Sequence, residues 1–181
     1  MRRGLKIIGL TIFMTVLLIG SYIFHITATG NFHPITPGEA YRSAQFNKEK
    51  LTRYIERYNI RSVLNLRGQN KKSDWYEEEV RACEKYGVVH YDLALTSTRE
   101  PNAEEMKKLL EIFKTAPRPI LIHCRHGADR SGLVAAMWKV IVDNEPKAEA
   151  RKHLSFLYGH IPIGRRCAMD RFFQNWNPQY Q

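Results

Sequence analysis

The stretch His123-Cys124-Arg125-His126-Gly127-Ala128-Asp129-Arg130-Ser131-Gly132 holds a thiol, a guanidinium six positions on, and a hydroxyl directly after that. The apolar run Pro119-Ile120-Leu121-Ile122 precedes it, and a longer one from Leu133 to Val142 follows. The first has strand length and the second helix length, so Cys124 falls where a strand hands over to a helix. The first N–H groups of a helix have no internal partner and lie at the positive end of its dipole, which makes this junction an anion site. A thiol there, among cations, loses its proton easily, and the thiolate is the nucleophile. The planar fork of Arg130 matches two oxygens of a phosphate and offsets charge that builds up in a transition state. Gly127 suits positive φ or close backbone approach, as a ring of inward-pointing N–H groups from Arg125 through Arg130 requires. Ser131 can donate to the sulfur and stabilise it as a leaving group. A structural cysteine in a buried apolar turn would not sit beside Arg125, His126, Asp129 and Arg130.

The flanking segments alternate between the two periodicities. Leu51, Tyr54, Ile55 and Tyr58 have helical spacing within 47–58. Residues 62–66 read as a buried strand, 68–73 as a polar loop, and 75–86 as a helix closed by Gly87. A strand over 88–95, a loop over 96–102 and a helix over 103–115 follow. Beyond the helix 129–142, a Pro146-led helix to about Leu157 and a last one over 164–176 complete the chain. Strands alternating with helices imply an α/β layer around a central sheet. At 181 residues there is room for one domain with a proper core.

The N-terminus adds a second feature. Arg2, Arg3 and Lys6 precede an uncharged apolar run, Ile7 to Phe24, of about bilayer length. The charges should stay on the cytoplasmic side and send the rest of the chain across. A retained signal anchor and a cleaved signal peptide compete here. The length of the run favours the anchor, and Ala28-Thr29-Gly30 is only a fair cleavage site. A core helix would have a polar face, which this run lacks. The formal net charge is +10, of which those three residues supply three. A basic domain favours anionic substrates or an anionic membrane surface. Outside the cytoplasm, Cys83 and Cys167 could pair while Cys124 stays reduced. No zinc-type Cys/His spacing appears, and the loop supplies its own positive charge, so neither metal nor cofactor is implied.

The loop resembles the signature of the cysteine-dependent protein tyrosine phosphatases, His-Cys-x5-Arg-Ser/Thr-Gly, and looks most like the small dual-specificity-type enzymes of bacteria. Tyr41-Arg42-Ser43-Ala44-Gln45 and Ser62-Val63-Leu64-Asn65-Leu66-Arg67 are similar to two strands of that subgroup. Rhodanese-type sulfurtransferases share a Cys loop of this size but usually lack the preceding His and following Ser-Gly. The resemblance implies a small mixed sheet flanked by helices, here preceded by one transmembrane helix. It divides the chain into a basic flank (1–6), a transmembrane anchor (7–27), a tether (28–39) and a phosphatase domain (40–178).

The implied chemistry is hydrolysis of a phosphomonoester through a phosphocysteine on Cys124. His123 would hold the loop's shape. The leaving oxygen needs a proton, which many family members take from an Asp in the loop before the Cys strand. Here that loop, Thr96-Ser97-Thr98-Arg99-Glu100-Pro101-Asn102, has none. Three carboxyls remain as candidates. Asp129 lies inside the Cys loop, at a position that looks able to serve as the acid in myotubularin-type phosphoinositide phosphatases. Glu100 is in the expected loop, and Asp92 lies further back. Arg42 and Arg67, at strand ends, either line the pocket mouth or face water. Arg125 and His126 should face the entrance. The implied partners are a phosphorylated protein or lipid and the membrane, with no nucleic acid. The implied place is the outer face of a bacterial inner membrane. A lipid or inositol phosphate is the rival substrate, and a phosphate-binding module without turnover is the rival of another class.

Overall fold

In the computed structural model, residues 2–177 are described. Residue 1 of the basic flank and residue 178, the expected domain end, lie outside the described residues. The chain begins with one helix, α1 (Arg2–Thr29). Its segment Lys6–Thr29 is long and apolar enough to cross a membrane, with mean hydropathy 2.3, and none of its most apolar stretch is buried against the domain.

A five-stranded sheet forms the centre, built from β1 (His33–Thr36), β2 (Ala40–Ser43), β3 (Ser62–Asn65), β4 (Val89–Asp92) and β5 (Ile120–His123). The spatial order is β1-β2-β5-β3-β4. Only the edge pair β1–β2 is antiparallel; the other three pairings are parallel, which makes the sheet mixed. β5 is central and buried along its whole length, as its unbroken apolar sequence requires of a strand covered on both faces. Side chains alternate across it. Ile120 and Ile122 join Leu64 in a core with helices α4 (Ala103–Thr115), α5 (Asp129–Ile141) and α7 (Ala168–Asn175). Leu121 joins Val63 and Tyr41 on the other face, against α2 (Lys48–Tyr58) and α3 (Asp74–Lys85).

Several elements end where local chemistry dictates. Asn102 and Glu105 form a reciprocal capping box at the start of α4, with bonds of 2.9 and 2.8 Å. The Asn47 side chain caps α2 by accepting from the Lys50 N–H at 3.0 Å. Ser131 to Trp138 are all buried, so α5 passes through the core and shows no polar face.

The structure departs from the sequence reading in four places. Residues 28–39 are no tether: the helix runs to Thr29, Asn31 is buried, and β1 is paired into the sheet. The helix expected from Pro146 to Leu157 is only α6 (Lys147–Ala150) followed by 3-10 turns at Arg151–His153 and Phe156–Tyr158. Ser155, in extended conformation, interrupts it, and Gly159 at φ 75° ends it. The last helix is likewise split, its first part a 3-10 turn at Gly164–Cys167. Cys83 and Cys167 are free thiols. Cys83 is buried on the α2–α3 face, while Cys167 adjoins α7 on the opposite side and donates to the Pro162 carbonyl at 3.0 Å.

Candidate active site

β5 delivers Cys124 to the carboxyl end of the sheet, and α5 begins five residues later. The intervening loop is shaped from outside. The Arg125 carbonyl accepts from the Gln45 N–H at 3.4 Å, and the His126 carbonyl from Asn31 Nδ2 at 3.0 Å. The Gly127 and Ala128 carbonyls both accept from Arg42 Nη2, at 2.8 and 3.0 Å. In a trans peptide the N–H points opposite to the carbonyl. Four successive outward carbonyls therefore turn the N–H groups of His126, Gly127, Ala128 and Asp129 inward, as an anion nest. Gly127 permits this turn. Its φ is +70°, and a Cβ there would lie 2.6 Å from the Ala44 nitrogen.

Arg42 neither lines the mouth nor faces water. Its guanidinium is fully buried, donates also to the His153 carbonyl at 2.7 Å, and lies 4.4 Å from the Tyr158 ring centre. Burial lowers its pKa to about 10, the largest influence on it, yet it stays charged at neutral pH. Arg130 reaches across to the ends of two strands, donating to the Leu66 and Leu95 carbonyls at 3.1 and 3.2 Å. Cys124 Sγ lies 3.5 Å from Ser131 Oγ. Burial by itself would raise the thiol's pKa. The Arg130 charge, the Ser131 hydroxyl and the Ser131 and His126 N–H groups outweigh it, and the net direction is down.

His123 is buried, with Nε2 3.1 Å from Glu79 Oε1. Glu79 is buried too and also meets His90 at 2.9 Å and the Gln45 amide. Burial pushes its carboxyl up. His123's charge and hydrogen bond, with those from His90 and Gln45, prevail and hold it well below the usual carboxylate range. Arg67 lies flat over Trp75, 3.5 Å from the ring centre, and donates to Gln45 Oε1 at 3.3 Å. Its pKa is lowered by burial and then by Arg130 and Arg125, so three guanidinium groups share one neighbourhood. Arg125 and His126 are exposed at the loop's outer side.

The three candidate carboxyls stand apart. Asp129 opens α5, with Oδ1 2.7 Å from His160 Nδ1, while His160 Nε2 meets Asp170 Oδ2 at 2.7 Å. The buried imidazole thus bridges two carboxylates. Burial lowers its pKa, but both partners raise it further, so the net direction is up. Glu100 is turned towards α7, where Arg171 donates to it at 3.3 Å. Asp92 is occupied by the Asn65 amide at 2.8 Å and the Tyr76 hydroxyl at 2.5 Å. Burial and that bond push the Tyr76 phenol up to about 12.

Four contributors escape sequence reasoning: Asn31, Glu79, His160 and Asp170. Glu79 alone leaves a trace, a carboxylate on the helical stripe of Tyr76, Ala82 and Cys83 that the core buries. Among the described residues no group of three or more His, Cys, Asp or Glu side chains is arranged to hold a metal.

Comparison with known proteins agrees with this architecture. The chain is 27% identical over 131 residues to the dual specificity protein phosphatase TpbA of Pseudomonas aeruginosa, covering 70% of this chain and 55% of that one. It is 30% identical over 100 residues to the inositol diphosphatase SIW14 of Saccharomyces cerevisiae, covering 52% and 34%. The chain thus spans about half the length, or less, of these curated relatives. The crystal structure of P. aeruginosa TpbA superposes with TM-score 0.63 at 21% identity, over 83% of this chain and 87% of that one. The core catalytic domain of S. cerevisiae SIW14 superposes with TM-score 0.66 at 23% identity, again over 83% and 87%. These two likenesses establish the fold. A family model described as DSP-PTPase phosphatase fused to NAD+ kinase matches residues 36–168, and since that span is most of the chain and contains the whole Cys124 loop, the chain belongs to this phosphatase family.

Proposed function

We propose that this protein is a cysteine-dependent phosphomonoester hydrolase of the dual-specificity tyrosine phosphatase type. The observation that carries the reading is the Cys124 thiol, its pKa lowered inside a loop whose N–H groups are turned inward and whose Arg130 is fixed to two strand ends. Cys124 thiolate attacks phosphorus in line; the S–P bond forms as the P–O bond to the leaving group breaks. Water then attacks phosphorus, the S–P bond breaks, and its electron pair returns to a sulfur stabilised by Ser131. The loop N–H groups and Arg130 hold the equatorial oxygens. His123 keeps the loop's shape through Glu79.

The leaving oxygen takes its proton from Asp129, with His160 as the proton store behind it. Asp129 is the one candidate carboxyl within the loop, and the 2.7 Å contact supplies that proton. Water later returns a proton to the same pair. Glu100 and Asp92 are the lesser candidates because Arg171, Asn65 and Tyr76 occupy them.

The substrate is a protein bearing phosphotyrosine, with phosphoserine and phosphothreonine as the further residues a dual-specificity enzyme would accept. TpbA's description, and its crystal structure in complex with pTyr, support this. The shared neighbourhood of Arg67, Arg125 and Arg130 favours a second reading, an inositol or lipid phosphate bearing further anionic groups, for which SIW14 is the precedent. Helix α1 anchors the enzyme in the inner membrane. The positive residues before the apolar run favour a catalytic domain on the periplasmic side.

The test is phosphate release by the full chain in detergent, under reducing conditions, from a phosphotyrosine peptide, a phosphoserine peptide and a phosphoinositide, with Cys124→Ser as control. Turnover of the peptides, abolished by Cys124→Ser, is expected. Faster turnover of the phosphoinositide would install the second reading, and no Cys124-dependent release from any of them would leave a phosphate-binding module.

A further inference from the structure

Outside α1, five large apolar side chains are exposed among the described residues, and four of them fall in one loop. Phe156, Leu157, Ile161 and Ile163 are between 42% and 73% exposed; the fifth is Val89. Exposed apolar residues scattered singly are ordinary, but a cluster of this kind marks a contact surface. Arg165 and Arg166 follow after Gly164 and are exposed as well.

The position of this loop along α1 identifies what it contacts. Phe156 stacks on Tyr22 with ring centres 4.8 Å apart. The Tyr22 hydroxyl donates to the Phe156 carbonyl and accepts from the Gly159 N–H. Tyr22 lies two residues before Phe24, the end of the apolar run, so Phe156 sits about 3 Å short of that end along the helix axis. The run from Ile7 to Phe24 is about 27 Å long, close to the thickness of a bilayer's hydrocarbon core. A loop at that height beside the helix lies at the boundary between hydrocarbon and headgroups, where tyrosine rings also settle.

The loop cannot swing clear of that level. Helix and domain are joined without a flexible segment: the Ala44 N–H donates to the Gly30 carbonyl at 2.8 Å, and Lys50 Nζ to the Ala28 carbonyl at 2.8 Å. On its other side the loop is fixed to the catalytic loop. Asn31 Nδ2 bridges the Tyr158 and His126 carbonyls at 2.9 and 3.0 Å, and His160 holds Asp129.

We propose that residues 156–166 seat on the surface of an anionic phospholipid bilayer. Phe156, Leu157, Ile161 and Ile163 enter the interface, and Arg165 and Arg166 lie among the lipid phosphates. Seating holds the catalytic loop at headgroup height in a fixed orientation. The enzyme then acts on phosphomonoesters presented at the membrane surface. This rests on α1 being a membrane anchor, as proposed above, and the experiment separates the two.

The full chain carrying a photoreactive p-benzoylphenylalanine is placed in nanodiscs of phosphatidylcholine and phosphatidylglycerol. One variant carries it at Phe13, in the middle of α1, another at Leu157, and a third at Lys71, an exposed position on the loop before α3. Irradiation followed by mass spectrometry reads lipid adducts. The expected result is adducts at Phe13 and Leu157, at least tenfold fewer at Lys71, and a severalfold loss at Leu157 when Arg165→Glu and Arg166→Glu are added. Adducts at Phe13 with none at Leu157 would overturn the seating and leave the anchor standing. No adduct at Phe13 would overturn the anchor itself. Protein–protein adducts in place of lipid adducts at Leu157 would assign the loop to a second copy of the chain and overturn the proposal.

Discussion

Asp129 meets the His160 ring at 2.7 Å and precedes Arg130 in the chain, and its neighbours fix how the proposed proton transfer would show experimentally. If Asp129 protonates the leaving oxygen, Asp129→Asn should slow an alkyl phosphate by about a hundredfold or more, the usual worth of a placed acid. A nitrophenyl phosphate, whose leaving group needs no proton, should lose far less. These losses are read in kcat/KM, which ends at formation of the phosphocysteine, and equal losses on both substrates would move the acid elsewhere. The bridge makes a separate demand on stability. The pKa of His160 is raised in the fold by Asp129 and Asp170. A group with a raised folded pKa contributes stability that is fully present below its unfolded value, about 6.5, and is lost as pH climbs through the folded value. The Tm difference between wild type and His160→Gln should therefore be largest on the acid side of neutrality and shrink above it. A difference that is flat with pH would mean that the imidazole is neutral in the bridge. The closeness of Cys124 and Ser131 was legible in the sequence because both belong to one loop, whereas the bonds of Arg130 to the Leu66 and Leu95 carbonyls were not. His160 and Asp170 were not legible either, because His160 lies 31 positions from Asp129 and Asp170 joins the loop only through His160.

At the scale of elements, the catalytic loop is held by a side chain from a neighbouring strand. Arg42 leaves β2 with its guanidinium spread over the carbonyls of Gly127, Ala128 and His153. Arg42→Ala would take their side-chain donor from the Gly127 and His153 carbonyls, each costing about 1–3 kcal/mol if left buried and unsatisfied, while the Ala128 carbonyl keeps the Gly132 N–H at 2.9 Å. It would also release the peptides whose N–H groups point into the loop. Arg42→Lys keeps a charge but cannot span three carbonyls from a single ammonium. Both variants should lose several kcal/mol in urea unfolding. Both should also lose affinity for inorganic phosphate, measured by calorimetry, beyond what a merely less stable protein would show. Rescue of phosphate affinity by lysine would contradict the clamp. From the sequence Arg42 was a charge that either lines the pocket mouth or faces water, because nothing local says that its side chain turns inward onto the loop's carbonyls. By contrast, α4 was legible to its first residue, since its capping box is written in four consecutive positions. The strand β1 was hidden by Pro34 and by the turn residues after it. Its pairing with β2 lets an edge strand carry a proline that a central strand would reject.

The whole molecule couples its membrane-length helix to its catalytic loop through one buried residue. Asn31 ends the turn after α1 at φ 51°, a conformation asparagine tolerates better than other non-glycine residues. Its side chain ties the His126 carbonyl of the catalytic loop to the Tyr158 carbonyl of the apolar loop. Two variants separate these duties. Asn31→Gly keeps the left-handed backbone and removes the bridge, whereas Asn31→Ala removes the bridge and adds about 1–2 kcal/mol of left-handed strain. Phosphate affinity should fall by a similar factor in both, because the Gly127 N–H loses the same external support. The melting temperature should be lower in Asn31→Ala than in Asn31→Gly. If phosphate affinity instead tracked stability, dropping only in the alanine variant, the bridge would be a fold contact with no bearing on the site. A fall shared by both would show that the end of the N-terminal helix helps to aim the groups that bind phosphate, so that the helix belongs to the architecture of the site.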